Sequence, residues 1–388
     1  MDAGDTVSGG FGEQAKFPSY PQLNTLLTHF DVSQDAEVKE FLLETLTAMA
    51  SHGLRDHVGG GFFRYTTDPT WQTPHFEKML YDNALLAQLY LRAASAFAEK
   101  GFATIAYQTL DFVVREMRHT GGGYVASLSA FDDQNVEGGY YLWRADELAD
   151  ALSAEHYAAI NRYWSLDTSA TFAAGYLPQM IPADAMPTAK AARQILAAKR
   201  NKHRRLPRDE KRITAWNALL LSAFVKAAKS GAIRFAKHAH ALRQFLHNDS
   251  KLLARSVIGP SHIGDGELED YAYRAQALWD YGRWRRSKAD KAKARELAST
   301  AWQRFATARG WRSTASSALP FESLDVVVRD GPLPSPSATL IDLSLNAGDT
   351  SLAASAREVL YRQPDTLRDA LFHYATHVDV LRRHDLRR

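Results

Sequence analysis

Apolar residues recur along this chain with a helical period almost from end to end. From Pro21 to Phe30 leucines stand at positions 23, 26 and 27, and from Glu37 to Met49 the apolar set is Val38, Phe41, Leu42, Leu46 and Met49. Spacings of three and four place such residues on one stripe of a helix. The same period runs through 75–99, 102–118, 145–164, 187–203, 213–230, 233–247, 268–285, 289–308, 337–347, 350–361 and 366–383, which predicts about a dozen helices. In the helix expected over 75–99, Thr73 is placed to cap and Pro74 suits the first helical position. Apolar side chains spread nearly all round that helix, the mark of an inner one. His75, Lys78 and Asp82 fall on one polar stripe, and Glu77, Tyr81 and Gln88 form a second set. Polar groups on a buried helix must be paired or face a wet cavity. The best β-rich runs are Tyr140–Trp143 and Asp325–Val328.

The connections carry a second pattern. Gly9-Gly10-Phe11-Gly12, Gly59-Gly60-Gly61-Phe62-Phe63, Gly121-Gly122-Gly123-Tyr124 and Gly138-Gly139-Tyr140-Tyr141 each join glycines to a ring. Glycine allows tight turns and close backbone approach, and the ring then plugs the fold or stacks on a ligand. Helix, glycine-aromatic loop, helix, repeated, is the signature of a helical array. The expected fold is therefore all-α: six hairpins closed into an (α/α)6 toroid, one barrel domain over 1–388, with functional loops gathered at one mouth. The loosest stretches, 165–186 and 309–337, are expected to be long loops over that mouth.

Composition narrows the function classes. Apolar residues make up 45% and charged residues 23%, so a large core under an ordinary polar surface is expected. A net charge of +3 gives no reason to expect nucleic acid or a membrane surface as partner. One basic run, Lys199 to Arg212, reads as a solvated helix end, with a phosphate or acidic partner as its alternative. The absence of cysteine excludes disulfides, thiolate metal sites and cysteine catalysis, and fits the cytoplasm. Neither a secretory leader nor an uninterrupted apolar membrane span is visible. His238 and His240 do not share a helix face, no His pair has a third ligand, and Gly59-Gly60-Gly61 lacks the lysine of a phosphate loop. No metal and no cofactor are expected.

Several motifs occur together. Gly59-Gly60-Gly61-Phe62 through Asp68, Trp71, and Pro74-His75-Phe76-Glu77-Lys78-Met79-Leu80-Tyr81-Asp82 form one long run. It is joined in order by Gly9–Gly12 with Lys16-Phe17-Pro18, by Glu137-Gly138 through Tyr141 and Trp143, by Thr214-Ala215-Trp216-Asn217, and by Glu269-Asp270-Tyr271-Ala272. This set resembles the YyaL-type thioredoxin-domain-containing family, the spermatogenesis-associated protein 20 family in animals. The resemblance spans nearly the whole chain. It implies a six-hairpin, glycosidase-like barrel similar to those of N-acylglucosamine and cellobiose 2-epimerases. The family also carries a thioredoxin-like domain, which this chain is expected to lack. The sequence departs from the family at Phe63, where histidine is usual. It also departs at Ala215 and Ala218 around Trp216-Asn217, and at Pro334-Ser335-Pro336-Ser337, which lacks a Gly-Asn.

Candidate chemistry follows from residue type. Glycoside cleavage needs two carboxyl groups across the bond, whereas epimerisation beside a carbonyl needs a base and an acid on opposite faces. His75, Glu77, Asp82, Glu137 and Asp270 are the candidate catalytic set, with Asp132 and Asp133 in the same loop as Glu137. At a helix N-terminus, His75 would be held as the neutral imidazole that a general base requires. Phe62, Arg64, Tyr65, Trp71, Tyr141, Trp143, Trp216, Asn217, Glu269 and Tyr271 are the candidate substrate-binding set, because rings stack on sugar C–H faces while carboxylates and amides bind hydroxyls. Two readings stand: a sugar epimerase, isomerase or glycosidase, or a barrel that binds a sugar or a protein without turning anything over. Convergence of the five catalytic candidates on one cavity would favour the first.

Overall fold

A computed structural model describes residues 3–247, 253–315, 324–361, 367–368 and 370–384. Among them are fourteen α-helices, most where the hydrophobic period places them. They are α1 (Tyr20–Ser33), α2 (Ala36–Ser51), α3 (Leu80–Ala96), α4 (Lys100–Phe112), α5 (Ala145–Ala151), α6 (Ala154–Trp164), α7 (Pro187–His203), α8 (Thr214–Lys229), α9 (Ala236–Leu246), α10 (Leu268–Arg285), α11 (Lys288–Phe305), α12 (Pro336–Asn346), α13 (Thr350–Tyr361) and α14 (Ala375–Arg383). The helix expected over 366–383 begins partly outside the described residues; α14 forms its later part.

Six of these helices close a ring. Each of α1, α3, α8, α10, α12 and α14 packs on the next, and α14 returns to α1. Outside the ring, α2, α4, α9, α11 and α13 each pack on the inner helix that precedes them. The structure is an all-α, six-hairpin barrel, as the repeat of helices and glycine-aromatic loops predicts. Inner helices bury side chains on most sides: α8 buries Ala215, Leu219, Leu220, Leu221, Phe224 and Val225 on successive sides. Between α4 and α8 the chain leaves the ring for α5–α7, which enclose their own small core of Trp143, Leu148, Ile160, Trp164 and Leu196.

Connections are strongly asymmetric. The turns that leave inner helices are short, as at Gln34–Asp35 or Arg286–Ser287. The segments that enter them are long and carry the strands: β1 (Tyr65–Thr66), β2 (Pro74–His75), β3 (Lys78–Met79), β4 (Ser127–Leu128), β5 (Arg208–Asp209), β6 (Arg212–Ile213), β7 (Ala254–Ile258), β8 (Ser261–Asp265), β9 (Ala306–Thr307) and β10 (Gly310–Trp311). All pairs are antiparallel, including Tyr65↔His75, Lys78↔Leu128, Ser127↔Asp209, Arg212↔Val257 and Ser256↔Ile263. The loop-rich mouth thus lies at the N-terminal ends of the inner helices.

Two glycine-aromatic loops are held there by one repeated device. Asn83 Oδ1 accepts from Phe62 N at 2.8 Å while its Nδ2 donates to Phe62 O and Met79 O. Asn217 Oδ1 accepts from Tyr124 N at 2.8 Å while its Nδ2 donates to Tyr124 O and Ile213 O. Gly61 and Gly123 have positive φ, and a Cβ on either would stand 2.3 Å from Phe112 or 2.7 Å from Phe245. Those outer-helix rings pack flat on the glycines, so no larger residue fits.

Three sequence expectations change. The helix expected from 75 starts at Leu80, because residues 74–79 form β2 and β3 and pair with β1 and β4. Backbone pairing there overrides the helical period, and the single polar stripe of His75, Lys78 and Asp82 does not exist. Tyr140–Trp143 forms a turn with one bridge, Trp143 to Tyr176, and Asp325–Val328 holds only a bridge from Asp325 to Trp311. The predicted helix 145–164 is two helices, broken at Leu152 and Ser153, where the Ser153 hydroxyl caps the second.

Candidate functional site

The ring encloses a hollow of about 460 Å3 lined by residues from all six inner helices. Helical spacing makes each contribution a stripe: Leu85, Gln88 and Arg92 on α3; Leu219, Ser222 and Lys226 on α8; Tyr273, Gln276, Asp280 and Arg283 on α10. Asp342 of α12, Asp379 and Arg383 of α14, and Asn24 of α1 complete the wall, with the rings of Tyr20 and Trp279.

Most charges in this wall neutralise one another. Arg383 bridges Asp342 at 2.9 Å and Asp379 at 2.8 Å, and His384 also bonds Asp342. Arg92 is held by Asp31, Asn24 and Thr28. Asp280 differs. Its carboxylate accepts from Ser222 Oγ at 2.8 Å and from Gln276 Nε2 at 2.9 Å, with no cation within ion-pair distance among the described residues. Burial raises its pKa, and the more distant Lys226 only partly opposes that. Lys226 donates to Gln88 Oε1 at 2.6 Å; burial among protein atoms lowers its pKa against the pull of Asp280. An amine and a carboxyl are thus both moved towards neutrality in one cavity. Trp279 Nε1 has no hydrogen-bond partner among the described residues.

The sequence-predicted residues lie at and around the mouth. Four of the five catalytic candidates form one cluster. His75 Nδ1 is 3.2 Å from Glu137 Oε1, its Nε2 is 3.9 Å from Glu77 Oε2, and Arg64 pairs with Glu77 at 3.0 Å. Tyr65 stacks on the imidazole at 5.0 Å. His75 lies in β2 and has no helix dipole behind it, so the expectation of an imidazole at a helix end is corrected. Asp82, in the first turn of α3, is buried, and its Oδ2 has no hydrogen-bond partner among the described residues. Burial raises its pKa well above the usual range; Arg64 opposes and Glu77 adds to the rise.

Asp270 does not join that cluster. Its carboxylate accepts from Ala215 N at 2.9 Å, Glu267 N at 2.9 Å and Arg255 at 3.0 Å, and so fastens α10 to the start of α8. Burial raises its pKa to about 7, against the pull of Arg255. Arg255 also binds Glu269 at 2.5 Å. Glu269 precedes Tyr273 by one turn, and Trp216 precedes Leu219, so both head stripes that line the hollow. Tyr81, one turn before Leu85, meets Trp216 edge-on at 4.8 Å.

Other predicted binding residues lie in the core. Phe62 stacks on Tyr90, Trp71 donates to Ser8 O, and Tyr271 packs on Phe305. Asn217 clamps the Tyr124 loop, as described above. Trp143 is covered by the Arg204 guanidinium at 4.1 Å, and Tyr141 lies among Phe63, Phe76 and Lys78. Phe63, at the position where the resembled family has histidine, is fully buried in that cluster. None of the five catalytic candidates lines the hollow. Several of the residues that do share one overlooked signal: a charge in the interior of a helix packed on nearly all sides, as with Arg92, Lys226, Asp280 and Asp342. Among the described residues, no group of three His, Asp or Glu is placed to hold a metal, and no helix is long and apolar enough to cross a membrane.

No protein-family model matches the chain. The chain is similar to spermatogenesis-associated protein 20 of Homo sapiens, with 29% identity over 336 residues, 72% of this chain and 43% of that protein. The Rattus norvegicus protein of the same name is 40% identical over 162 residues, 39% of this chain and 20% of that one. The chain spans less than half the length of the curated relatives it matches. Among solved structures, cellobiose 2-epimerase from Spirochaeta thermophila aligns with a TM-score of 0.60 at 12% identity, covering 99% of this chain and 92% of that one. A D-mannose isomerase aligns with a TM-score of 0.58 at 11% identity, covering 93% and 82%. At such identities the likeness establishes the fold.

Proposed function

We propose that this barrel binds a sugar in its central hollow and moves a proton on it, as an epimerase or isomerase does. The observation that carries the reading is the hollow itself: a partly open cavity of ligand size to which all six inner helices contribute polar side chains. Trp279, Tyr20 and Tyr273 offer faces for C–H groups, while Gln88, Gln276 and Arg283 offer partners for hydroxyls. Proton transfer fits better than glycoside cleavage. Cleavage needs two working carboxyl groups, but Asp342 and Asp379 are locked to Arg383, which leaves Asp280 as the carboxyl without an ion pair among the described lining residues. Asp280 as acid and Lys226 as base are the pair we assign. The names of the epimerase and isomerase with this fold agree with that class, by analogy alone.

The test is a panel of free aldoses, ketoses and disaccharides, headed by D-mannose and cellobiose, in heavy water. Binding is read by calorimetry and deuterium uptake beside the carbonyl by NMR. Uptake with an isomeric product is the expected result. Binding without uptake makes the barrel a sugar-binding scaffold, and no binding by any sugar ends the reading.

A second placement of the chemistry rests on the half-exposed pairing of His75 with Glu137 at the mouth. In it, His75, Glu77, Asp82 and Glu137 react and Asp270 holds the adjoining helix. If it is right, His75→Ala abolishes turnover of whichever sugar reacts, with an unchanged melting temperature. Unchanged turnover removes the imidazole from the mechanism and leaves the hollow pair alone.

A further inference from the structure

A second cavity, about 630 Å3, lies outside the ring between α4 and α7. Its floor is the Arg55–Gly60 loop that follows α2, and its cations are Arg55, Arg115, Lys190 and Arg193. Two acids also line it, and both are engaged elsewhere. Asp56 is held by Lys78 and Arg200, and Asp111 by Arg234 at 2.9 Å. Glu116 partly offsets Arg115 from one side, at 2.7 Å. Among the described residues Lys190 donates only to a carbonyl, Ala183 O, at 2.5 Å. Among the described residues Arg55 has no carboxylate within ion-pair distance: its guanidinium donates to the Gln108 side chain, and its buried Nε has no partner. Arg193 makes no hydrogen bond or ion pair among the described residues.

Cations gathered without counter-charge raise the free energy of the fold unless an anion joins them. Here they come from distant parts of the chain, Arg55 and Arg115 from beside the ring and Lys190 and Arg193 from the excursion helix α7. The guanidinium fork matches a phosphate better than any other side chain does. Val58, Ile105, Ile181 and Pro182 add apolar wall for the remainder of a ligand.

We propose that this cleft binds a small phosphorylated organic molecule, its phosphate clamped between Arg55 and Arg193, and that this ligand fastens α7 to the barrel. The site is separate from the hollow and does not depend on the reading of the hollow.

The test titrates the intact chain with inorganic phosphate, a hexose monophosphate and AMP, following melting temperature and calorimetric affinity. Arg193→Gln and Lys202→Gln are compared; Lys202 is exposed on the same helix but outside the cleft. Wild type and Lys202→Gln are expected to bind all three, with the organic phosphates tighter than phosphate alone. Arg193→Gln binds them roughly tenfold more weakly or worse. In phosphate-free buffer Arg193→Gln is expected to melt no lower than wild type, because a repelled cation has gone. Equal binding by both variants, or no saturable phosphate binding by wild type, overturns the site. Affinities for the organic phosphates no better than for inorganic phosphate overturn the ligand class.

Discussion

Asp56→Asn is expected to destabilise the fold by about 3–5 kcal/mol, the cost of leaving buried cations without their counter-charge. Asp56 is almost fully buried and sits between two buried cations, Lys78 Nζ at 2.8 Å and Arg200 Nη2 at 3.0 Å. It also accepts from the backbone of Val58 and Gly59. Burial alone would raise the carboxyl's pKa, but Arg200 and Lys78 outweigh it and hold the carboxyl well below the usual range. The sign for pH follows. A depressed carboxyl stabilises the fold above its unfolded value, near 4, and that contribution fades as pH falls below roughly 4. Asparagine keeps the shape and loses the charge. Urea melts at neutral pH should show the loss, and the acid-side decline of the wild type should be shallower in the variant. Lys78→Met added to Asp56→Asn should recover part of the loss, since one stranded charge is then gone. Equal stability of wild type and Asp56→Asn would show that Lys78 and Arg200 find other partners.

Asp56 also shows where sequence reading reached its limit. Long helices were legible because an apolar period runs through them, and because α1, α3, α8 and α12 each follow a segment that sets glycine beside a ring. Short strands were not, because two-residue pairs such as Lys78–Met79 with Ser127–Leu128 have no period to detect. The β7–β8 hairpin did leave a trace, the Gly259-Pro260 pair that forms its two-residue turn. Ion networks were illegible for a different reason. Asp56 and Arg200 are 144 positions apart, and only the closed ring with its excursion brings them together. Lys78 then turns inward because residues 74–79 are extended; on a helix it would have shared a stripe with His75 and Asp82.

The mouth and the hollow divide the polar residues by depth. Motif-rich segments converge at the mouth, because every long connection enters an inner helix there, and motifs draw the eye to that end. Below it, each stripe moves from ring or acid (Tyr81, Trp216, Glu269) to the polar lining (Gln88, Ser222, Gln276) and then to charge (Arg92, Lys226, Asp280). A charge in the interior of a helix packed on nearly all sides is expensive to bury. Its presence on three consecutive inner helices at similar depth is explained if those helices surround a wet, ligand-sized space.

Asp280→Asn is therefore expected to separate function from folding. Burial raises the Asp280 carboxyl, so its contribution to stability is complete below the unfolded value, near 4, and is lost as pH rises through its folded value. At neutral pH the charged form is the costly one, and a neutral isostere should leave the melting temperature unchanged or slightly higher. Ser222 and Gln276 can still bond the amide, with Gln276 turning its own amide over. Turnover of the sugar identified in the panel should fall by roughly 10²–10⁴, the usual contribution of a positioned acid or base. Because a group that moves protons does more for the transition state than for binding, kcat should fall more than KM rises. Lys226→Met should show the same split. The pH profile of the wild type should be bell-shaped, with both limbs set by this pair, and each variant should lose one limb. Full turnover by Asp280→Asn, or a loss explained by unfolding, would show that the carboxyl only shapes the wall.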